Sequence, residues 1–297
     1  MEIVDPANPL PIKTIILAVD FLESSRLALD YAIGFALKYS ATLLMVHAIE
    51  LPQPAKEAEM LCHKRSMSRI DAMDRLEALA AGVRRVGVRV ETFTVDGEPC
   101  KVLVKVAQDQ GADLLVLGTH GVHRGLGHLL LGSNVEKLLM SSPCPTLTIG
   151  RHVLSGVDVR LRFDEVLYVS DFSAEAKSAA PIALLLGRDF GAPIDVCQML
   201  PEAATGDPML QERLSSEYFE AMRKILPEAD HYWITPTFNL KNGSMVDQVL
   251  ERAFNNHAGI IVLGVKSEAL LARHLHTSFA YKLLANAPCP ILTVRQT

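Results

Sequence analysis

An internal repeat constrains this chain more than any other feature. Ser142-Pro-Cys-Pro-Thr-Leu-Thr-Ile149 returns as Ala287-Pro-Cys-Pro-Ile-Leu-Thr-Val294, and Thr14-Ile-Ile-Leu-Ala-Val-Asp20-Phe21 returns as Glu165-Val-Leu-Tyr-Val-Ser-Asp171-Phe172. Between these markers, Asp96-Gly97 corresponds to Asn242-Gly243, and Leu114-Leu-Val-Leu-Gly118 to Ile260-Ile-Val-Leu-Gly264, in the same order. Unrelated segments do not share an ordered set of this kind, so the chain is a tandem duplication joined near Arg151 to Arg162. Its 297 residues give two domains of about 150 residues, each large enough to bury a core. The boundaries read as 1–153 and 158–297.

Within each copy, apolar runs alternate with segments of helical period. In the first copy the runs are 13–20, 42–49, 88–95, 114–117 and 145–149. Between them, Ala28, Tyr31, Ala32, Phe35 and Ala36 mark one face of a helix, residues 57–86 carry a longer helical pattern, and Val102, Val106 and Ala107 a third. Strand and helix in strict alternation predict an α/β domain with a mostly parallel sheet. The unbroken run Leu114 to Leu117 is that of a strand buried on both faces.

The segment after that strand points to a ligand. Glycines stand at positions 118, 121, 125, 127 and 132, and Ser133 then opens a helical pattern through Val135, Leu138 and Leu139. Glycine lets backbone amides approach a ligand closely, and a helix N-terminus adds unpaired donors and a positive dipole end. A phosphate is the natural guest. The plainer alternative is a flexible turn. The second copy keeps only Gly264, with Ser267 and Thr277 standing for Gly121 and Gly132. Side chains at those positions narrow both the backbone angles and the room for a phosphate, although Ser278 retains a hydroxyl.

Composition excludes several classes. The formal net charge is −5, which favours neither nucleic acid nor an anionic membrane as partner. No apolar run approaches the roughly 20 residues of a membrane span, and residues 1–11 do not read as a secretory signal. A cytoplasmic location is expected. Five cysteines are scattered, odd in number and never in a Cys-x-x-Cys pair, as expected of reduced thiols. His120, His123 and His128 cluster in the glycine loop, but no cysteine or acid sits at ligand spacing, so no metal site is assigned. Arg84-Arg85 and Lys64-Arg65 read as a solvated helix face.

Val-Asp-Phe closing the first strand, the loop Gly118-Thr-His-Gly121 to Leu-Leu-Leu-Gly132-Ser133, and the Pro-Cys-Pro strand closing each half together resemble the universal stress protein family in tandem form. The resemblance covers nearly the whole chain, twice. It implies two adenine-nucleotide-hydrolase-like α/β domains, each a five-stranded parallel sheet in the order 3-2-1-4-5 flanked by helices. It also implies ATP, with magnesium, as cofactor. Carried over residue by residue, the backbone at Ala18 and Ala48 meets adenine and Asp20 lies near ribose and base. Gly118, His120, Gly121, Gly132, Ser133 and Asn134 wrap ribose and phosphates. The ATP-binding branch places nine residues between the second glycine and Gly-Ser, whereas ten separate Gly121 from Gly132 here. The additional residue falls among Val122, His123 and Arg124.

The site position agrees with a general rule, because parallel sheets bind ligands at the carboxyl ends of strands where the order reverses, here between strands one and four. Asp20 has a second reading as a turn former before the first helix, and the structural role is favoured for Asp171. Function then reads as a cytosolic ATP-binding stress-response or regulatory protein with one site, in the first half. The family pairs domains through their last strands. A tandem chain makes that pair within itself, leaves two chains free to associate further, and needs a regulatory protein partner whose identity the sequence does not give. Two alternatives stand beside this: a slow ATPase at the same site, and a nucleotide-free scaffold. There is no Gly-x-x-x-x-Gly-Lys loop and no orienting partner for His120, so no catalytic residue is assigned.

Overall fold

The computed structural model describes residues 11–50, 58–119, 133–153, 161–170, 173–198, 206–225, 234–235, 245–265 and 279–295. The first half runs β1 (Thr14–Ala18), α1 (Glu23–Tyr39), β2 (Thr42–Ile49), α2 (Ala58–Arg85), β3 (Arg89–Asp96), α3 (Pro99–Asp109), β4 (Leu114–Gly118), α4 (Ser133–Ser141) and β5 (Thr146–Ile149). The second repeats it as β6 (Val166–Ser170), α5 (Ala174–Phe190), β7 (Ile194–Gln198), α6 (Pro208–Ile225), β8 (Ile234–Thr235), α7 (Met245–Asn255), β9 (Ile260–Val265), α8 (Phe279–Asn286) and β10 (Ile291–Arg295).

The strands form one sheet in the order β3-β2-β1-β4-β5-β10-β9-β6-β7-β8. Each half therefore has the order 3-2-1-4-5, and the neighbours within each half are parallel. The halves meet where β5 and β10 pair antiparallel, with Ile291 opposite Thr148, Leu292 opposite Leu147 and Thr293 opposite Thr146. A closing strand left at an edge would present a row of unpaired backbone groups, and here each closing strand covers the other. Thr293 Oγ1 donates to the Thr146 carbonyl at 3.2 Å across this seam, and Arg295 reaches the Ser142 carbonyl at 3.0 Å.

Strand alternation sends side chains to two separate cores. Ile15 and Leu17 face α1 and α2, whereas Ile16 faces the layer of α3 and α4. The same division continues through the second half, so each core layer crosses the seam. On the first face the two halves are also joined by aromatic rings. Phe163 lies against Phe190 with centroids 4.4 Å apart, and Phe35 lies 5.7 Å from Phe190 and 6.2 Å from Phe163. The Tyr39 hydroxyl donates to Asp189 at 3.0 Å.

Cys100, Cys144, Cys197 and Cys289 are free thiols. Burial pushes Cys144 and Cys197 up to about 11 and Cys289 up to about 12, which leaves them as packed apolar groups rather than nucleophiles. The Cys62 side chain lies outside the described residues, as do Lys64 and Arg65. Arg84 pairs with Glu77 on an exposed face of α2. Among the described residues, no helix is long and apolar enough to cross a membrane, and no group of three His, Cys, Asp or Glu side chains is placed to hold a metal.

Candidate functional site

The carboxyl ends of β1, β2 and β4 open onto a cleft of about 200 Å³, walled on its far side by α3 and α4. Ala18 and Ala48 line it from β1 and β2, Asp20 from the turn after β1, and Gly118 from the end of β4. Four of the residues read from the sequence therefore converge on one space at the reversal of strand order. His120, Gly121 and Gly132 lie outside the described residues. Ser133 and Asn134 form the first turn of α4, beside the cleft residues Val135 and Leu138, and their side chains likewise lie outside the described residues.

Each lining residue has a local reason for its place. β1 ends because the chain turns sharply at Phe21, which has a left-handed backbone angle, φ +61. Asp20 holds that turn: its Oδ1 accepts from the Leu22 amide at 2.9 Å. The turn-forming role and the position at the cleft are thus both true of Asp20, whose side chain is exposed at the mouth. Gly118 has a different reason from the one its neighbourhood suggests. A Cβ there would stand 2.4 Å from the Ser24 carbonyl oxygen, so the glycine exists to admit the first turn of α1. Gly264, its counterpart, admits Glu175 in the same way, with a Cβ at 2.2 Å from the carbonyl oxygen. This explains why it alone survives in the second loop, since its role is packing.

The cleft also holds residues that sequence reasoning did not single out. His47, on β2, donates from Nδ1 to the Val19 carbonyl at 2.7 Å. A carbonyl oxygen only accepts, so Nδ1 carries the proton in that bond. The signal for His47 was a lone imidazole inside the apolar run 42–49. Cys100 and Leu103 reach the cleft from α3. Lys137 of α4 bonds Glu98, the residue before α3, at 2.5 Å, which ties the two walls together. That bond holds the Glu98 carboxyl below its ordinary range.

The second half is built differently at the matching place. The strand registers align Val169 with Ala18 and Gln198 with His47. Val169 is 3% exposed and packs in the core, so a branched side chain occupies the floor that is an alanine in the first half. Asp171, Ser267, Thr277 and Ser278 lie outside the described residues.

Comparison with known proteins agrees with this architecture. The model of the universal stress protein family matches residues 11–150 and again 162–295. A universal stress protein of Thermus aquaticus is 32% identical over 137 residues, covering 46% of this chain and 98% of that protein. A universal stress protein homologue of Coxiella burnetii is 30% identical over 139 residues, covering 46% and 95%. A universal stress protein of Archaeoglobus fulgidus, solved by crystallography, superposes with a TM-score of 0.71 at 19% identity, covering 95% of this chain and 96% of that one, which supports the fold. With its α/β architecture and both repeats matched, the chain belongs to the universal stress protein family, in tandem two-domain form.

Proposed function

We propose that this protein is an adenine-nucleotide-responsive regulator with one ATP site, in the unit 1–153, and that the unit 158–297 serves as its degenerate partner. The observation that carries the reading is the convergence of Ala18, Asp20, Ala48 and Gly118 on one cleft beside the start of α4. A purine needs apolar walls on its faces and polar groups at its edge. Ala18, Val46, Ala48 and Leu103 supply the first; Asp20 and His47 supply the second. In this reading Asp20 receives the ribose. The loop residues His120, Gly121 and Gly132, with Ser133 and Asn134, hold the phosphates at the α4 N-terminus, where a helix favours an anion. Magnesium would accompany the phosphates and neutralise part of their charge.

The described lining carries one carboxylate, Asp20, and one imidazole, His47, which suit recognition of a base and ribose, whereas the loop proposed for the phosphates lies outside the described residues. The second unit is assigned no site because Val169 and the lost glycines both remove space.

Calorimetry on the full chain, stripped of nucleotide and with magnesium present, tests the reading. One ATP per chain, lost in Gly132→Val with the fold intact, is the expected result. Two per chain would refute the one-site assignment, and no binding would leave the scaffold alternative.

A further inference from the structure

A second cavity, of about 270 Å³, lies on the opposite face of the sheet from the cleft, between β1, β2, α1 and α2. Its floor is apolar, with Leu17, Met45 and Leu79 among its walls, and Arg26 and Arg75 stand at its mouth. Among the described residues, no acidic side chain lines it, although the chain as a whole carries a net negative charge. Arg75 is held in place by stacking: its guanidinium carbon sits 4.2 Å from the centre of the Phe21 ring. A stacked guanidinium keeps its in-plane N–H donors free for a planar anion. Its one ion pair among the described residues, with Asp71 at 3.7 Å, is exposed on both sides and therefore weak.

The second half carries a larger side chain at the position that matches one wall of this cavity. Tyr168 stands at the register position of Leu17. It is fully buried, and its hydroxyl donates to the Ala176 carbonyl at 2.5 Å. Ala176 in turn corresponds to Ser25, which lines the cavity in the first half. One copy of the duplicated unit thus sends a buried tyrosine from its first strand to the helix that follows, whereas the other carries a leucine there, beside a cavity and two arginines.

We propose that this cavity is a binding site for a small organic carboxylate with an apolar body, the carboxylate meeting Arg26 and Arg75 and the body entering between Leu17, Met45 and Leu79. Burial of the apolar body supplies affinity, and the guanidinium pair selects the anion. The cavity adjoins the nucleotide cleft, Val19 and Ser25 lining both, but the residues that meet the carboxylate and its apolar body line this cavity alone, so the proposal does not rest on the nucleotide reading.

Octanoate is the probe, titrated by calorimetry into the full chain, with octanol, octylammonium and inorganic phosphate in parallel. Saturable binding of one octanoate per chain is expected, with the three controls at least tenfold weaker. Leu17→Tyr, which installs the side chain of the second half, should abolish it. The double variant Arg26→Gln with Arg75→Gln alters only exposed side chains and should weaken binding about tenfold or more, the loss of about 1.4 kcal/mol of charge-assisted bonding. It carries the test if Leu17→Tyr fails to fold. Octanol or phosphate binding as tightly as octanoate, absence of saturable binding, or octanoate affinity unchanged in either folded variant would overturn the proposal.

Discussion

Gly118 and Gly264 show how one residue type serves two purposes in a single loop. Both lie at the carboxyl end of a buried strand, Gly118 as the last residue of β4 and Gly264 as the last but one of β9, and both would drive a Cβ into the backbone of the helix after the first strand of their half. The loss of the other glycines in the second copy then acquires a clear meaning, because only the glycine demanded by packing was kept. Gly118→Ala and Gly264→Ala should each destabilise the protein by about 1–3 kcal/mol, the usual range for forcing an added carbon into a packed site. Chemical denaturation measures it. If Gly264 tolerates alanine without loss, packing is not its reason. The pair of Leu17 and Tyr168 makes the same point in reverse, since equal backbone positions carry one side chain that lines a cavity and one that bonds the following helix. Gly118 was legible in the sequence as a special position, but its purpose was not, because the atoms it makes room for lie far away along the chain.

At the scale of elements, strands and helices followed from apolar pattern and turn chemistry. Ala28, Tyr31, Ala32, Phe35 and Ala36, read as one helical face, are all buried in α1. The helix read over 57–86 spans Ala58–Arg85. What pattern alone did not expose is a polar contact between elements of the second half. Arg252 and Asn256, on and just after α7, reach Asp195 on β7 and Glu165 before β6. Asp195 is 3% exposed, and its pairing with Arg252 compensates a charge that would otherwise be costly to bury. Partial burial, and then repulsion from Asp195, raise the Glu165 carboxyl above its ordinary value. The folded state therefore holds the proton more tightly than the unfolded one. The stability from this group is fully present below the ordinary carboxylate pKa and is lost as pH rises through the raised value. Relative to wild type, Glu165→Gln should gain stability as pH climbs past the ordinary carboxylate range, with urea unfolding at a series of pH values as the measurement. A difference that shrinks or stays flat over that range would contradict the assignment.

For the molecule as a whole, the antiparallel meeting of β5 and β10 makes one ten-stranded sheet of two duplicated units. The aromatic cluster of Phe35, Tyr39, Phe163 and Phe190 adds a second bond between the halves on one face. Two independent contacts, one of backbone hydrogen bonds and one of buried rings, should hold the halves together without a covalent link. A protease site engineered within residues 154–160 tests this. After cleavage, gel filtration should return a single peak at the mass of the intact chain. Two peaks at half that mass would mean that the connection, and not the interface, keeps the halves together.

The sequence by itself determined the duplication, the α/β class and the strand order expected of the family it resembles, and it singled out the glycine-rich segment after β4 as the place for the proposed nucleotide. These depend on local pattern: apolar runs, helical periods, and glycine beside a helix start. Tertiary structure alone decided that His47 joins Ala18, Asp20, Ala48 and Gly118 in one cleft. It also decided that Gly118 answers to Ser24 and that Leu17 lines a cavity where its counterpart Tyr168 bonds the following helix. The physical reason is the same in each case. Pattern records what a residue needs from its near neighbours, whereas a site is made by residues brought together from strands that are distant in the chain and adjacent only in the sheet.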